Sequence, residues 1–156
     1  MRTATLCLLV KDNSICLGIK KRKLGKDKYN GFGGMQEDDE TIEEAALREL
    51  HEEAGVLAID YQKVAEMTYH FPATPDWNQV VHVYLVTRWG GEPKETAEMT
   101  AEWFPFANIP YDRMWDNDKY WLPQVLLGKK VKGSVIHDGN KTIEKNIELV
   151  ETFETG

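Results

Sequence analysis

The chain has 156 residues, of which 42% are hydrophobic, a length and composition that suit one domain with a buried core. Its formal net charge of -7 and its pI of about 5.1 exclude the basic face that binding of duplex nucleic acid requires. The two cysteines show no metal-ligand spacing, which suits free thiols in a reducing cytoplasm. The N-terminal apolar run is too short to cross a membrane. We therefore expect a monomeric, cytoplasmic single domain over residues 1–156, without membrane or duplex nucleic-acid partners.

The N-terminal region is predicted to form a β-hairpin. Two apolar runs, residues 3–10 and 14–20, flank a polar turn, and their nearly continuous apolar character predicts central strands. The basic segment 20–28 that follows is either a solvated loop or a local positive patch that attracts polyphosphate. Lys20 closes the second strand, so we expect its ammonium group to project from a rigid element rather than from a mobile loop.

A glycine-rich stretch, Tyr-Asn-Gly-Phe-Gly-Gly, occupies residues 29–34. Gly33 and Gly34 let the backbone approach a ligand closely and present a carbonyl group that could contact a metal ion. Asn30 and Phe32 are expected at the entrance of a pocket. The alternative for Asn30 is that it only forms a turn.

Residues 41–54 are predicted to form the helix around which the chain is organised, because good helix formers dominate and Gly55 provides the stop. Apolar residues at positions 42, 46, 50 and 54 form one stripe, whereas Glu49, Glu52 and Glu53 share another face. Carboxylates at this spacing repel one another unless a cation lies between them, and hard oxygen ligands suit Mg²⁺ or Mn²⁺. The alternative is a solvated acidic helix.

Two β-rich segments, residues 62–71 and 80–88, follow the helix. The loop between them carries two prolines and Trp77, which we expect to be exposed and able to close over a bound ligand. After the second segment, Glu95 and Glu98 lie in a polar stretch, and either carboxylate could reach the metal site from outside the helix. An apolar run at residues 103–106 comes next.

Aromatic and polar side chains alternate over residues 109–123, which include Trp115 and Trp121. Aromatic faces stack bases, and Asn or Asp edges read them, so this mixture suits a purine pocket. The alternative is that Asp116 or Asn117 caps a helix over residues 120–127 and that Trp121 is plain core. The last segments, residues 129–136 and 142–150, are predicted to form a hairpin whose turn at 137–140 has a structural role.

Nine residues between Gly34 and Val56 carry a resemblance to a known family. Their spacing, Gly-x5-Glu-x7-Arg-Glu-Leu-x-Glu-Glu-x-Gly-Val, resembles the Nudix box without a departure. This resemblance implies an α/β fold, the Nudix α-β-α sandwich with a mixed β-sheet and helices on its faces. It also implies a hydrolase of nucleoside diphosphates linked to another moiety.

The resemblance also assigns roles inside the box. It implies that Glu49, Glu52 and Glu53 are metal ligands and catalytic residues, with Glu53 also a candidate for positioning or deprotonating the attacking water. Arg48 is grouped with the catalytic residues in a supporting role. For Arg48 and Glu40, a structural salt bridge is the alternative to direct catalysis.

Across nearly the whole chain the arrangement resembles the MutT homologues of animals that hydrolyse oxidised purine nucleoside triphosphates. The matching motifs are Asn-Gly-Phe-Gly-Gly before the box and Met-Trp-x-x-Asp-x-Tyr-Trp near the end. By this resemblance the cofactor is Mg²⁺, or alternatively Mn²⁺, and the metal ligands are Gly33, Glu49, Glu52, Glu53 and Glu98. The implied substrate-binding residues are Thr5, Lys20, Asn30, Phe32, Gly33, Gly34, Tyr69, Phe71, Trp115, Asn117 and Asp118.

One departure from that pattern concerns base recognition. Where those enzymes carry two adjacent acids, this sequence has Asn117 followed by Asp118. An amide N–H donates to guanine O6 while an ionised Asp accepts from N1–H and N2–H. We therefore predict hydrolysis of 8-oxo-dGTP to 8-oxo-dGMP and pyrophosphate, with a preference for oxidised guanine over oxidised adenine nucleotides.

Two alternatives to this prediction stay open at the level of sequence. One is a Nudix hydrolase that acts on ordinary dNTPs or on another nucleoside diphosphate derivative. Met35 stands where the resemblance leads us to expect a Lys, and this departure leaves the substrate range open. The other is a nucleotide sensor without catalysis, although such a protein would be expected to lose carboxylates of the box.

Overall fold

The computed structural model describes residues 1–21 and 27–153. Within these ranges the chain forms a mixed β-sheet with helices on both faces, which confirms the predicted α/β fold. The strands are β1 (Arg2–Lys11), β2 (Ser14–Ile19), β3 (Tyr29–Asn30), β4 (Leu57–His70), β5 (Gln79–Gly90), β6 (Glu102–Pro105), β7 (Lys130–Asp138) and β8 (Lys141–Val150). The helices are α1 (Ile42–Ala54) and α2 (Asp118–Leu126). Most of the predicted basic segment falls on residues 22–26, outside the described ranges.

The sheet has the strand order β3-β2-β1-β5-β4-β7-β8, and β6 pairs with β2. Strand β1 runs parallel to β5, and β4 runs parallel to β7, while the other pairs are antiparallel. As predicted, β1 is central. Its side chains alternate between two cores: Leu8 packs with the side chains of α2, and Cys7 and Leu9 pack with those of α1. A strand that is apolar on both faces must be covered on both.

Helix α1 begins and ends where the sequence predicts. The Thr41 hydroxyl accepts a hydrogen bond from the Glu44 backbone N–H at 3.1 Å, and the Glu44 carboxylate accepts one from the Thr41 N–H at 2.8 Å. At the other end, Gly55 has φ 76° and donates its N–H to the His51 carbonyl at 2.9 Å. These two caps fix the register of the glutamates on α1.

Strands β4 and β7 extend beyond their predicted limits. Strand β4 begins at Leu57 rather than at residue 62, because its first residues pair with the end of β5 across irregular positions around Asp60. Strand β7 continues through His137, which pairs with Thr142 of β8. No helix within the described residues is long and apolar enough to span a membrane.

Candidate active site

A cavity of about 680 Å³ is lined by β1, the glycine-rich loop, α1, β4, β5, α2 and β7. This volume suits a small-molecule ligand. The predicted site residues that line it are Thr5, Lys20, Asn30, Gly33, Gly34, Glu49, Glu52, Glu53, Tyr69, Phe71, Glu98, Trp115, Asn117 and Asp118. Phe32 and Arg48, also predicted site residues, do not line it.

Three carboxylates meet in this cavity and form what we call the carboxylate cluster: Glu49, Glu53 and Glu98. One oxygen from each lies within 4.8 Å of the others. Glu49 and Glu53 are four residues apart and therefore share a face of α1, while Glu98 comes from the segment between β5 and β6. Carboxylates this close repel one another, and hard oxygen donors are the preferred ligands of Mg²⁺ and Mn²⁺. The donor set therefore fits such a cation.

Glu53 is the buried member of the cluster, with 4% of its surface exposed. Its Oε1 accepts a hydrogen bond from the Gly33 backbone N–H at 2.7 Å. The pKa of Glu53 is raised to about 7: burial is the largest cause and the neighbouring Glu49 and Glu98 contribute, while Lys20 and the Gly33 N–H act in the opposite direction. The charge of Lys20 thus acts on the cluster, as expected for an ammonium group projecting from the end of β2.

Arg48 lies behind the carboxylate cluster rather than in the cavity. Its guanidinium contacts both oxygens of Glu40, at 2.6 and 2.9 Å, and donates to Glu49 Oε1 at 2.7 Å. It also donates to the Met35 carbonyl at 3.1 Å, which ties α1 to the loop before it. The salt bridge between Arg48 and Glu40, the alternative drawn from the sequence, is present, and Arg48 also orients Glu49. A supporting role of Arg48 in catalysis stays a prediction.

Glu52 lies outside the carboxylate cluster. It is adjacent to Glu53 in sequence, and consecutive helical residues do not face each other. Its carboxylate is 3.3 Å from the Arg48 guanidinium and is 45% exposed. Glu52 still lines the cavity, and its role as a metal ligand stays a prediction, as does that of the Gly33 carbonyl.

Gly33 and Gly34 of the glycine-rich loop pass too close to their neighbours to carry a side chain. A Cβ atom on Gly33 would lie 1.8 Å from the Thr5 carbonyl oxygen, and one on Gly34 would lie 2.5 Å from the Glu49 carboxyl group. Thr5 holds the loop here, because its backbone N–H and hydroxyl donate to the Gly34 carbonyl at 2.8 and 3.3 Å. Asn30 lines the cavity from the end of β3, and its Oδ1 accepts from the Gly31 N–H at 2.9 Å. The alternative that Asn30 only forms a turn is therefore wrong.

Thr96 connects two members of the carboxylate cluster, although no pattern in the sequence pointed to this residue. Its hydroxyl donates to the Glu53 backbone carbonyl at 3.0 Å and accepts from the Glu98 backbone N–H at 3.2 Å and the Met99 N–H at 3.3 Å. The Lys94 N–H adds a bond to the Ala54 carbonyl at 3.1 Å. These bonds hold the segment that carries Glu98 against the last turn of α1.

Asn117 occupies the capping position of α2 but makes no capping hydrogen bond with its side chain. Instead its Oδ1 accepts from the Tyr69 hydroxyl at 2.9 Å and from the Trp121 indole N–H at 3.0 Å, and its Nδ2 lies 3.2 Å from His137 Nε2. The capping alternative is therefore wrong for Asn117. Asp116, the other capping candidate, instead accepts from the Thr142 backbone N–H at 3.0 Å.

Asp118 is a buried carboxyl group that also faces the cavity. Burial raises its pKa to about 7, although a hydrogen bond from Trp121 lowers it. Trp121 Nε1 lies 3.3 Å from Asp118 Oδ1. Asn117 and Asp118, which we call the amide–acid pair, therefore present an amide and a titratable carboxyl side by side.

An aromatic wall surrounds the amide–acid pair. The Phe71 ring is 6.1 Å from that of Trp115 and 5.5 Å from that of Trp77. Trp77 lines the cavity and is half-buried, so the expectation of an exposed tryptophan is wrong. Phe32 is fully buried in the core beneath α1. The expectation of Phe32 at the pocket entrance is therefore also wrong.

His137 is a residue of the cavity that sequence reasoning missed. It is 1% exposed, lines the cavity and lies 5.5 Å from the Phe71 ring at an interplanar angle of 33°. Assigning it to a structural turn was wrong, because β7 continues through it. The signal was available: residues 131, 135 and 137 are an even number apart, and side chains two apart on a strand share a face.

Comparison with known proteins places the chain in a family. The NUDIX domain family matches residues 1–125. An oxidized purine nucleoside triphosphate hydrolase of Mus musculus is 35% identical over 153 residues, covering 97% of each chain. One of Danio rerio is 37% identical over 148 residues, covering 94% of each.

A solved structure of a MutT protein shares the fold of this chain. The crystal structure of a MutT protein from Bacillus halodurans superposes with a TM-score of 0.82 at 18% identity, covering 95% of this chain and 98% of that one. At this identity the likeness concerns the fold alone. The resemblance drawn from the spacing of the box is thus confirmed, and the chain belongs to the NUDIX family.

Proposed function

We propose that this chain is a nucleoside triphosphate diphosphatase that hydrolyses oxidised purine nucleotides, chiefly 8-oxo-dGTP to 8-oxo-dGMP and pyrophosphate, with Mg²⁺ or Mn²⁺ as cofactor. The observation that carries this proposal is that one cavity contains both the carboxylate cluster and the amide–acid pair. The names of the Mus musculus and Danio rerio relatives support the same substrate class. Clearing such nucleotides would keep oxidised bases out of DNA.

The carboxylate cluster serves the phosphate chain. A bound Mg²⁺ would supply charge neutralisation of the phosphates and a lower pKa for a bound water. Glu49, Glu53 and Glu98 would hold that ion, and Lys20 adds a fixed positive charge beside them. The Gly33 backbone N–H donates to one oxygen of Glu53, and this hydrogen bond keeps the carboxylate in one orientation.

The hydrolytic step needs a water nucleophile and a proton acceptor. The water oxygen forms a bond to phosphorus as the bond from that phosphorus to the bridging oxygen breaks. We assign the water's proton to the Glu53 carboxylate, which is buried and aimed into the cavity. Pyrophosphate leaves with the bridging oxygen and its electron pair.

The amide–acid pair serves the base. Asn117 donates an N–H to guanine O6, and ionised Asp118 accepts from N1–H and N2–H. Phe71 and Trp115 provide apolar faces beside the pair. This arrangement supports the predicted preference for oxidised guanine over oxidised adenine nucleotides.

The test is a product analysis of purified protein incubated with 8-oxo-dGTP or dGTP in the presence of Mg²⁺. We expect pyrophosphate rather than single phosphate, a higher kcat/KM for 8-oxo-dGTP than for dGTP, and a fall in kcat of about 10²- to 10⁴-fold in Glu53→Gln. Equal kcat/KM values for both nucleotides would assign a general dNTP hydrolase instead. Tight nucleotide binding without turnover would assign a sensor.

We also propose that the enzyme works as a monomeric domain over residues 1–156 in the cytoplasm. Cys7 and Cys16 are free and fully buried, which suits a reducing compartment. Size-exclusion chromatography with light scattering tests the monomer, since a dimer would elute with twice the mass.

A further inference from the structure

A buried hydrogen bond joins the base-reading amide to β7. Asn117 Nδ2 and His137 Nε2 lie 3.2 Å apart, and the two residues are 2% and 1% exposed. A buried polar group without a partner costs free energy. The neighbours of the Asn117 amide and of His137 Nε2 therefore determine which of these atoms donates and which accepts.

The orientation of the Asn117 amide follows from its other two contacts. An indole N–H can only donate, so the Asn117 atom 3.0 Å from Trp121 Nε1 must be the oxygen. The Tyr69 hydroxyl donates to the same oxygen at 2.9 Å. Both lone pairs of Oδ1 are thus used, and the NH2 group faces His137.

The protonation of His137 follows in turn. An amide NH2 only donates, so His137 Nε2 must accept and carries no proton. Burial lowers the pKa of His137 more than the Gly139 backbone and Asp116 raise it, which keeps the ring neutral. The ring proton is therefore on Nδ1.

We propose that His137 is a positioning residue for base selectivity: its unprotonated Nε2 takes one N–H of Asn117 and leaves the second N–H for an acceptor atom of the base. With its oxygen engaged by Tyr69 and Trp121, Asn117 can offer a base nothing but this donor. A base that places an acceptor such as O6 of 8-oxoguanine opposite this N–H therefore binds more tightly than a base that places a donor there. This inference rests on the proposed function and assigns a role to a residue outside the predicted site.

The first test separates the acceptor from the aromatic ring. His137→Phe keeps a ring beside Phe71 and removes the acceptor, whereas His137→Gln keeps an acceptor and removes the ring. We expect the ratio of kcat/KM for 8-oxo-dGTP over 2-oxo-dATP to fall about tenfold in His137→Phe, mainly through KM, and to stay within about threefold of wild type in His137→Gln. In an Asn117→Ala background, His137→Phe should not change the ratio further. The opposite pattern, with the ratio kept by phenylalanine and lost with glutamine, would overturn the proposal and leave His137 a wall of the pocket.

The second test does not depend on activity. Nitrogen-15 NMR of the imidazole groups in the full chain, with His137→Phe used to assign the signal, reports which ring nitrogen carries the proton. We expect the neutral Nδ1–H tautomer at pH 7. An Nε2–H tautomer or an imidazolium would overturn the proposal. Absence of any hydrolysis of 8-oxo-dGTP combined with the Nδ1–H tautomer would instead refute the proposed function and keep the positioning of Asn117.

Discussion

Replacing Asp118 by asparagine removes a buried carboxyl group from the base pocket, and its effect depends on pH. Burial raises the pKa of this group from 3.8 to about 7. Between these values the folded protein keeps a proton that the unfolded chain has released. The contribution of Asp118 to the free energy of unfolding therefore falls as pH rises through this window, by at most about 1.4 kcal/mol per pH unit and up to about 4 kcal/mol in all.

Asp118→Asn has no such titration. The stability of the variant relative to wild type should thus rise between pH 4 and pH 7 and level off above pH 7. Urea unfolding followed by tryptophan fluorescence, at intervals from pH 4 to pH 8, measures this difference. A difference that stays constant over the whole range would refute the assignment of a raised pKa to Asp118.

The same substitution should reduce activity most where Asp118 is ionised. Hydrogen bonds to a charged group contribute about 1.5 to 3 kcal/mol, so kcat/KM for 8-oxo-dGTP should fall about 10- to 100-fold at pH 8. At pH 6 the loss should be smaller, because most of the wild-type carboxyl groups are then protonated. A loss that is equal at both pH values would contradict the role of the ionised carboxylate in reading guanine.

Two further substitutions test the phosphate side of the cavity. Thr96→Val removes the hydroxyl that joins Glu98 to α1. The Mg²⁺ concentration for half-maximal activity should therefore rise about fivefold, which corresponds to the free energy of about one hydrogen bond. Thr96→Ser should behave as wild type, and equal behaviour of the two variants would contradict this role of the hydroxyl. Gly34→Ala places a Cβ 2.5 Å from the Glu49 carboxyl group, so kcat/KM should fall at least about 100-fold; Gly90→Ala, whose Cβ meets nothing within 4 Å, is the control, and comparable activity of the two alanine variants would contradict the close approach.

The parts of the site that could be predicted are those with local signals. Helix α1 is determined by its caps and composition, and the four-residue spacing of Glu49 and Glu53 on it places both carboxylates on one face. Glu98 could be named only through the family resemblance, since its own stretch offered Glu95 equally. Tertiary hydrogen bonds decide that Glu98, and not Glu95, joins the carboxylate cluster. No local pattern in the sequence contains these bonds.

The features that were missed or misplaced depend on contacts far apart in the sequence. Asn117 looks like a helix cap locally, but Tyr69 and Trp121 take its oxygen. Phe32 lies between glycines, and only the packing of α1 on β1 decides that its ring turns into the core. His137 could have been placed by counting alternate residues along β7, had the end of that strand been extended to include it.

The most direct test of the central claim compares two glutamates of the same segment. Glu98 belongs to the carboxylate cluster, whereas Glu95 binds Lys21 outside it. Mn²⁺ binding followed by electron paramagnetic resonance, together with pyrophosphate release from 8-oxo-dGTP, should show weaker binding and at least about tenfold slower release in Glu98→Gln, and wild-type values for both in Glu95→Gln. Identical behaviour of the two variants, or wild-type protein that neither binds Mn²⁺ nor releases pyrophosphate, would contradict the account.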